Sequence, residues 1–476
     1  MKISSLLLTL LICAPTWASS GTVLIKSVMV VDGTSKPKYG PVDIEVIHGV
    51  IARIGPNLKS RATKIIAGQG KTVVPGLIDT HTHLHSVPGS VFRNETPQDV
   101  QRQQKAQLKA YLAAGVTTVL DNAAPESLFR EAAQLDRKGV APRILGLAPF
   151  LTPKDGYFAT AESRGSLYRD LWPPIEKEDD IAIRFEQASQ LKPLGAKVTV
   201  EKGLGPFDVW PSFSDEINKR IMAESTKYEI PLFVHSLSKE EHRAALRLRP
   251  YALVHAGFNT EAVDVKILQE IKDSGVYVMT TLAIYKMMLL MWQPEFLKDP
   301  WVNLLVPAEQ LKTAANKKFN RQAIETVVMQ NKPKWIAKSL VPSMAGLFLN
   351  ETVVRKQLAR SMKAVKAMDT VGIPLVMGSD AGNWPVWTTF FHGVGSVLEI
   401  EAMIEAGLSA QDVLMASTSR AARMLKLDKK IGTVATGMVA DLVILSQDPL
   451  MYPKAFREVA YVMKGGVVKT PREWMQ

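Results

Sequence analysis

Residues 73–85 read VVPGLIDTHTHLH, an apolar strand-like run whose end carries His81, His83 and His85, three of only eight histidines in a chain of 476 residues. Residues i and i+2 of a strand point the same way, so His81 and His83 project together while Thr82 points oppositely. Two imidazoles side by side suit one metal ion, although two strand histidines also occur as plain hydrogen-bonded neighbours. What lies downstream gives the pair its meaning.

The run is the first of eight. VTTVLDN from Val116, RILGLAP from Arg143, AKVTVE from Ala196, PLFVHS from Pro231, ALVHAG from Ala252, VYVMTTL from Val276 and PLVMGSD from Pro374 follow, separated mostly by polar helical stretches. Eight strands alternating with helices predict an α/β fold, a (β/α)8 TIM-type barrel whose catalytic groups sit at the C-terminal strand ends. An open doubly wound sheet is the alternative, but no Gly-rich phosphate loop follows any of these strands. His235 ends the fifth run, His255 the sixth and Asp380 the eighth. All three therefore fall at the edge reached by His81 and His83, and neutral imidazoles with a carboxylate are zinc ligands. Lys197, near the start of the fourth run, is the odd member, because an ammonium cannot ligate a cation. A strand-end lysine that snorkels to solvent is its plain alternative.

The ends of the chain read differently from the middle. TVLIKSVMVVDG, VDIEVIHGVIARIG and TKIIAGQGKTVVPG precede the first barrel strand, and KIGTVATGMVADLVILSQDP and VAYVMKGGVVKT follow the last. Short alternating runs between Gly, Pro and Asp turns predict one small β-sandwich built from both termini, 19–75 and 426–476, around a barrel at 76–425. Residues 1–18 read as a signal peptide, with Lys2, an apolar stretch and Ala18 before the cleavage site, which implies a periplasmic or secreted protein. The lone Cys13 lies in that leader, and no other run of about 18 apolar residues supplies a stable membrane anchor. One connection is long: residues 283–361 form an insertion rich in Met, Trp and Lys. Such an insertion can be a lid over the site, a set of packing helices, or a membrane-surface helix. At 46% hydrophobic and 22% charged residues, the composition excludes a disordered or fibrous chain. The net charge of +12 is spread evenly rather than gathered into a stripe, which argues against nucleic acid as a partner.

GKTVVPGLIDTHTHLH, MGSDAG and IGTVATGMVADLVIL together resemble the strand-one, strand-eight and C-terminal return motifs of the amidohydrolase superfamily, over nearly the whole mature chain. LVHAG, GAKV and VLEIEAMIEAGL are most similar to its prolidase-like and imidazolonepropionase-related branch. His235 is followed by Ser236, Leu237 and Ser238, so the His-x-x-Glu of the deaminase members is missing. The resemblance implies two divalent metal ions, zinc first, with His81, His83 and Asp380 on the buried ion and His235 and His255 on the more exposed one. It further implies Lys197 as a bridging carbamate, with Glu201 as the fallback bridge. Asp380 is then the catalytic residue that takes the proton of a metal-bridging water, which attacks as hydroxide. The expected reaction is hydrolysis of an amide C–N bond in a small molecule, a dipeptide or N-acyl amino acid. A lactone or phosphotriester hydrolase, or a metal-free scaffold, remains as an alternative, and a homo-oligomer is open. His85, Tyr285 and His392 are the substrate-binding candidates. His242 ranks lower, and both it and His392 fit equally well as helix-start residues facing solvent.

Overall fold

The computed structural model describes residues 21–158, 171–203, 209–257 and 263–476. The expected leader and Cys13 lie outside these. Sixteen strands among the described residues fall into two eight-stranded sheets.

The first sheet is parallel and follows chain order: β6 (Leu77–Thr82), β7 (Val116–Asp121), β8 (Arg143–Leu151), β9 (Gly195–Thr199), β10 (Leu232–His235), β11 (Ala252–Val254), β12 (Tyr277–Met279) and β13 (Leu375–Val376). The eight runs read from the sequence are these eight strands. β6, β7, β9 and β10 are buried along their whole length, as strands covered on both faces must be. The ring closes where the first strand meets the segment after the last. Thr80 N–H donates to Met377 O (3.0 Å), Asp380 N–H to His81 O (2.8 Å) and His83 N–H to Ala381 O (2.9 Å). Gly378 permits that approach, because a Cβ there would stand 2.7 Å from the Cβ of His81.

The second sheet takes strands from both ends of the chain: β1 (Thr22–Val30), β2 (Tyr39–Ile47), β3 (Val50–Gly55), β4 (Lys64–Ala67) and β5 (Thr72–Pro75), then β14 (Leu442–Leu445), β15 (Val459–Lys464) and β16 (Val467–Lys469). It is mostly antiparallel, with β5 paired to β14 and β4 running parallel to β1. Ile51 N–H donates to Met438 O and Ala440 N–H to Gly49 O, which folds the sheet over a core of its own that includes Ile25, Ile44, Ile51, Leu442 and Ile444.

The long connection after β12 needs one correction to its boundary. Position 361 falls inside the helix Glu351–Val371, which leads directly into β13, so the inserted part ends near Asn350. A helix at Ala283–Leu289 packs on the barrel helix Val394–Glu405, and the helices Pro300–Leu305, Ala308–Ala314, Lys317–Asn331 and Val341–Phe348 follow. This collar is tied to the loops after β6 and β13. Arg93 donates to Thr313 Oγ1 (2.9 Å), Thr388 to Asn320 Oδ1 (2.5 Å), and the rings of Phe92 and Phe319 stack at 5.4 Å.

A buried ion cluster joins the two sheets at the end of the barrel opposite those loops. Arg143, the first residue of β8, lies 2.9 Å from Asp441 Oδ2, and Lys464, at the end of β15 and 1% exposed, lies 3.5 Å from the same oxygen. Burial alone would raise the Asp441 carboxyl. The charges of Lys464 and Arg143, with bonds from Gly465 N–H and Arg143, outweigh burial and hold it below its ordinary value. Removing one member of such a cluster strands the others, so Asp441→Asn should cost about 3–5 kcal/mol in urea unfolding at neutral pH. Because the folded value is the lower one, this stability is present above the unfolded value of about 4 and is lost as pH falls through the folded value. The gap between wild type and variant should therefore narrow in acid, while metal content at neutral pH stays equal.

Candidate metal centre

His81 and Thr82 are the last two residues of β6, His83 follows them, and His235 ends β10. His255 and Asp380 stand just past β11 and β13 with φ of 74° and 56°. Non-glycine residues in the left-handed region carry strain of about 1–3 kcal/mol and persist where the surroundings enforce them. Here the strained backbone turns both side chains inward over the ring.

Asp380 Oδ1 lies 3.2 Å from His81 Nε2 and 3.0 Å from His83 Nε2, and the two ring nitrogens are 3.3 Å apart. Three ligand atoms thus converge, and among the described residues this is the group of His and carboxylate atoms close enough to share one ion. The chemistry of the atoms fits a cation. Asp380 Oδ1 is buried and receives no hydrogen bond of good geometry, while its other oxygen accepts from Asn383 Nδ2 at 2.9 Å. Burial, aided by the Lys197 charge, pushes His81 down to about 3, so its ring is neutral with a lone pair to give. Burial would raise the Asp380 carboxyl, but His81 and His83 outweigh it and keep the group ionised.

A second cluster touches the first. The rings of His81 and His255 are 4.9 Å apart, and His255 Nε2 lies 2.9 Å from His235 Nδ1. Each of these rings is held from behind: His255 Nδ1 by Thr281 Oγ1 at 2.8 Å, and His235 Nε2 by the carboxyl of Glu201. An outer hydrogen bond on one nitrogen leaves the other to face inward, which is how ligating histidines are oriented. Burial takes His235 down to about 3 and His255 well below its ordinary value. Lys197 lies on β9 and lines the same cavity. Burial brings its ammonium down to about 7, against the pull of Asp380, Asp121 and Glu201. All six residues expected to form the site, His81, His83, Lys197, His235, His255 and Asp380, line this one cavity.

The substrate-binding candidates divide. His85 lines the cavity with Nδ1 3.7 Å from Asp121 Oδ2. His392 does not line it and does not face solvent. It is buried, with Nδ1 2.9 Å from the Tyr111 hydroxyl and Nε2 3.0 Å from Ser86 O, and it packs against the Asp380 loop where Gly382 has no Cβ. Tyr285 also lies outside the described lining, on the helix Ala283–Leu289, and burial raises its hydroxyl above the ordinary value. His242 is fully buried and ties Ser236 to Gly257 O, linking the ends of β10 and β11. Two of the histidines at loop starts are therefore internal struts.

Four residues at the site escaped the reading of the sequence. Asp121 ends β7, and the strand-end argument used for the histidines would have found it. Its carboxylate accepts from Leu84 N–H (2.6 Å) and Ala123 N–H (2.9 Å). Thr281 follows β12 in the same way. Asp79 clamps the ring closure, accepting from His81 N–H (3.1 Å), Ser379 N–H (3.0 Å) and Ser396 Oγ (2.6 Å). Tyr157 comes from the loop after β8, where no periodic signal marks it, and its ring lies 4.7 Å from that of His235.

A parallel barrel closed over clustered imidazoles and a carboxylate is the architecture of a metal-assisted hydrolase class. The profile of the amidohydrolase family matches residues 72–470, and the chain belongs to that family. Its relatives include a dihydroorotase of Halalkalibacterium halodurans, 32% identical over 137 residues, or 27% of this chain and 29% of that enzyme. An imidazolonepropionase of Micrococcus luteus is 32% identical over 113 residues, 24% of this chain and 26% of the enzyme. The matched stretches thus span under a third of these relatives. Among solved structures, a Xaa-Pro dipeptidase with methionine bound in its active site superposes with a TM-score of 0.70 at 17% identity, covering 94% of this chain and all of that one. A molinate hydrolase gives 0.67 at 15% identity, covering 95% of each chain. At these identities the superpositions speak for the fold.

The placement of Glu201 behind His235 distinguishes an orienting group from a bridging ligand. Glu201→Gln should weaken binding of an added divalent metal ion by about 10–100-fold in a competition titration, yet still allow the same number of equivalents at saturation. A bridging Glu201 would instead cost one full equivalent.

Proposed function

We propose that this chain is an exported, metal-dependent hydrolase that cleaves an amide C–N bond in a dipeptide or N-acyl amino acid. The observation that carries this reading is the convergence of His81, His83 and Asp380 beside the facing pair His235 and His255. His81, His83 and Asp380 would hold one divalent ion and His235 and His255 a second, zinc in both places, with Lys197 between them as a carbamate. When bound, such a pair of ions acidifies a shared water and polarises the scissile carbonyl.

The chain's own residues do the rest. Asp380, with Oδ2 fixed by Asn383 and Oδ1 facing the cluster, takes the proton of the attacking water and returns it to the departing nitrogen. Phe150, Tyr157, Phe158 and Trp384 line the cavity, and these apolar walls exclude water and suit an apolar substrate side chain. His85, backed by Asp121, offers a polar contact at the same wall. The family relationship and the amide-cleaving names among relatives and fold neighbours support the reaction class. Export rests on the leader at residues 1–18.

Asp380→Asn keeps the size of the side chain and removes its basicity. The variant should retain metal and lose about 10²–10⁴-fold in kcat against a panel of dipeptides and N-acyl amino acids, with lactones and phosphotriesters as controls. Wild-type rates in the metal-loaded variant would overturn the role given to Asp380. Activity confined to the controls would overturn the choice of bond. Export is checked by intact mass: the periplasmic protein should begin at Ser19, and an uncleaved cytoplasmic chain would refute it.

A further inference from the structure

The second half of the insertion carries an apolar surface that the barrel does not use. In residues 332–349, Trp335 and Leu347 are about three-quarters exposed (76% and 74%), Leu340 is 50% and Phe348 44% exposed. Val341 and Ala345, on the inner side of the helix Val341–Phe348, are buried against Val328 with Ile324, Met329 and Leu349 around them. Leu340, Met344, Leu347 and Phe348 follow helical spacing along a second apolar stripe beside the buried one, with Pro342, Ser343 and Gly346 on the far side. One apolar stripe of this short helix is satisfied by the protein, and the neighbouring stripe, with Leu340, Leu347 and Phe348 exposed, is available to an apolar medium.

Charge says which medium. The stretch 326–350 contains no Asp or Glu and three lysines, of which Lys332 donates to Ile336 O at 2.6 Å while Lys334 and Lys338 are exposed. The acids that flank it are neutralised, Glu325 by Arg321 at 2.8 Å and Glu351 by Arg355 at 2.6 Å. Exposed Trp, Phe and Leu set among lysines is the composition of a segment that lies in a bilayer interface, with apolar side chains among the acyl chains and ammonium groups at anionic headgroups. No helix among the described residues is long and apolar enough to cross a membrane, so the contact is with the surface. A groove of about 720 Å³, walled in part by Met291, Trp292, Ile324, Pro342 and Ala345, continues the apolar surface inward from this helix.

We infer that residues 332–349 form a docking face for an anionic phospholipid bilayer. The helices before it are fastened to the loops after β6 and β13, so docking holds the catalytic face of the barrel close to the membrane.

The test is co-sedimentation of the purified full chain with vesicles of phosphatidylglycerol mixed with phosphatidylcholine, against vesicles of phosphatidylcholine alone. Binding should favour the anionic vesicles and weaken with salt. Lys334→Gln and Lys338→Gln should each reduce it about fivefold. The combined variant Trp335→Ser, Leu347→Ser, Phe348→Ser should abolish it while circular dichroism and thermal midpoint stay as in wild type. A second readout needs no destabilising change. The wild-type minus Trp335→Phe fluorescence difference should shift to the blue when anionic vesicles are added. No sedimentation with anionic vesicles, equal binding by the triple variant, or no shift in the difference spectrum would overturn the inference. So would an oligomer in lipid-free solution that the triple variant dissociates, since the face would then belong to a second copy of the chain.

Discussion

The bonds that close the barrel between β6 and the segment after β13 are the constraint on which the rest depends. They are backbone bonds, donated by Thr80, Asp380 and His83, and two of them involve candidate ligands. Ring closure and site assembly are therefore one event. The same contact that satisfies the edge of the parallel sheet brings Asp380 Oδ1 within 3.2 Å of both strand-one imidazoles. Asp79 reinforces it from below, and Gly378 allows it sterically. A parallel sheet left open at this seam would lose its last ladder and its first ligand set together.

Much of this was legible in the sequence because the information is periodic. Strand-end positions are marked by the point where an apolar run gives way to a polar loop, so His235, His255 and Asp380 could be placed at one rim without knowledge of their mutual distances. The small terminal domain was legible for the same reason, its strands being short and bounded by turn residues. Contacts between distant segments are another matter. Nothing local to His392 records that Tyr111 and Ser86 will enclose it, so it reads as solvent-facing or substrate-facing until the helices are packed. Glu201 shows the finer limit. Its spacing from Lys197 correctly brings it into the site, but whether it faces the cavity or the back of His235 depends on where β10 lies beside β9. Asp121 obeys the same strand-end rule as the histidines, since it is the last residue of β7.

The buried groups around the cavity share one tendency. Burial strips protons from His81, His235 and His255 and weakens the ammonium of Lys197, while it raises Glu201 to about 8. A buried pocket of this kind favours neutral nitrogen donors with few anions, a composition suited to a cation. The outer contacts made by Thr281, Glu201 and Asn383 fix ring and carboxylate orientations before any ion arrives.

The pairing of β5 with β14 ties the two ends of the chain across the whole barrel sequence. The N-terminal strands are made first, yet Ile25, Ile44 and Ile51 gain the Leu442 and Ile444 side of their core only when the final strands are present. Such a long loop closes slowly, because its entropy cost precedes its contacts. A chain cut short before β14 would keep the ligands of its barrel but leave β5 without its antiparallel partner and bare the side of Ile25, Ile44 and Ile51 that Leu442 and Ile444 cover.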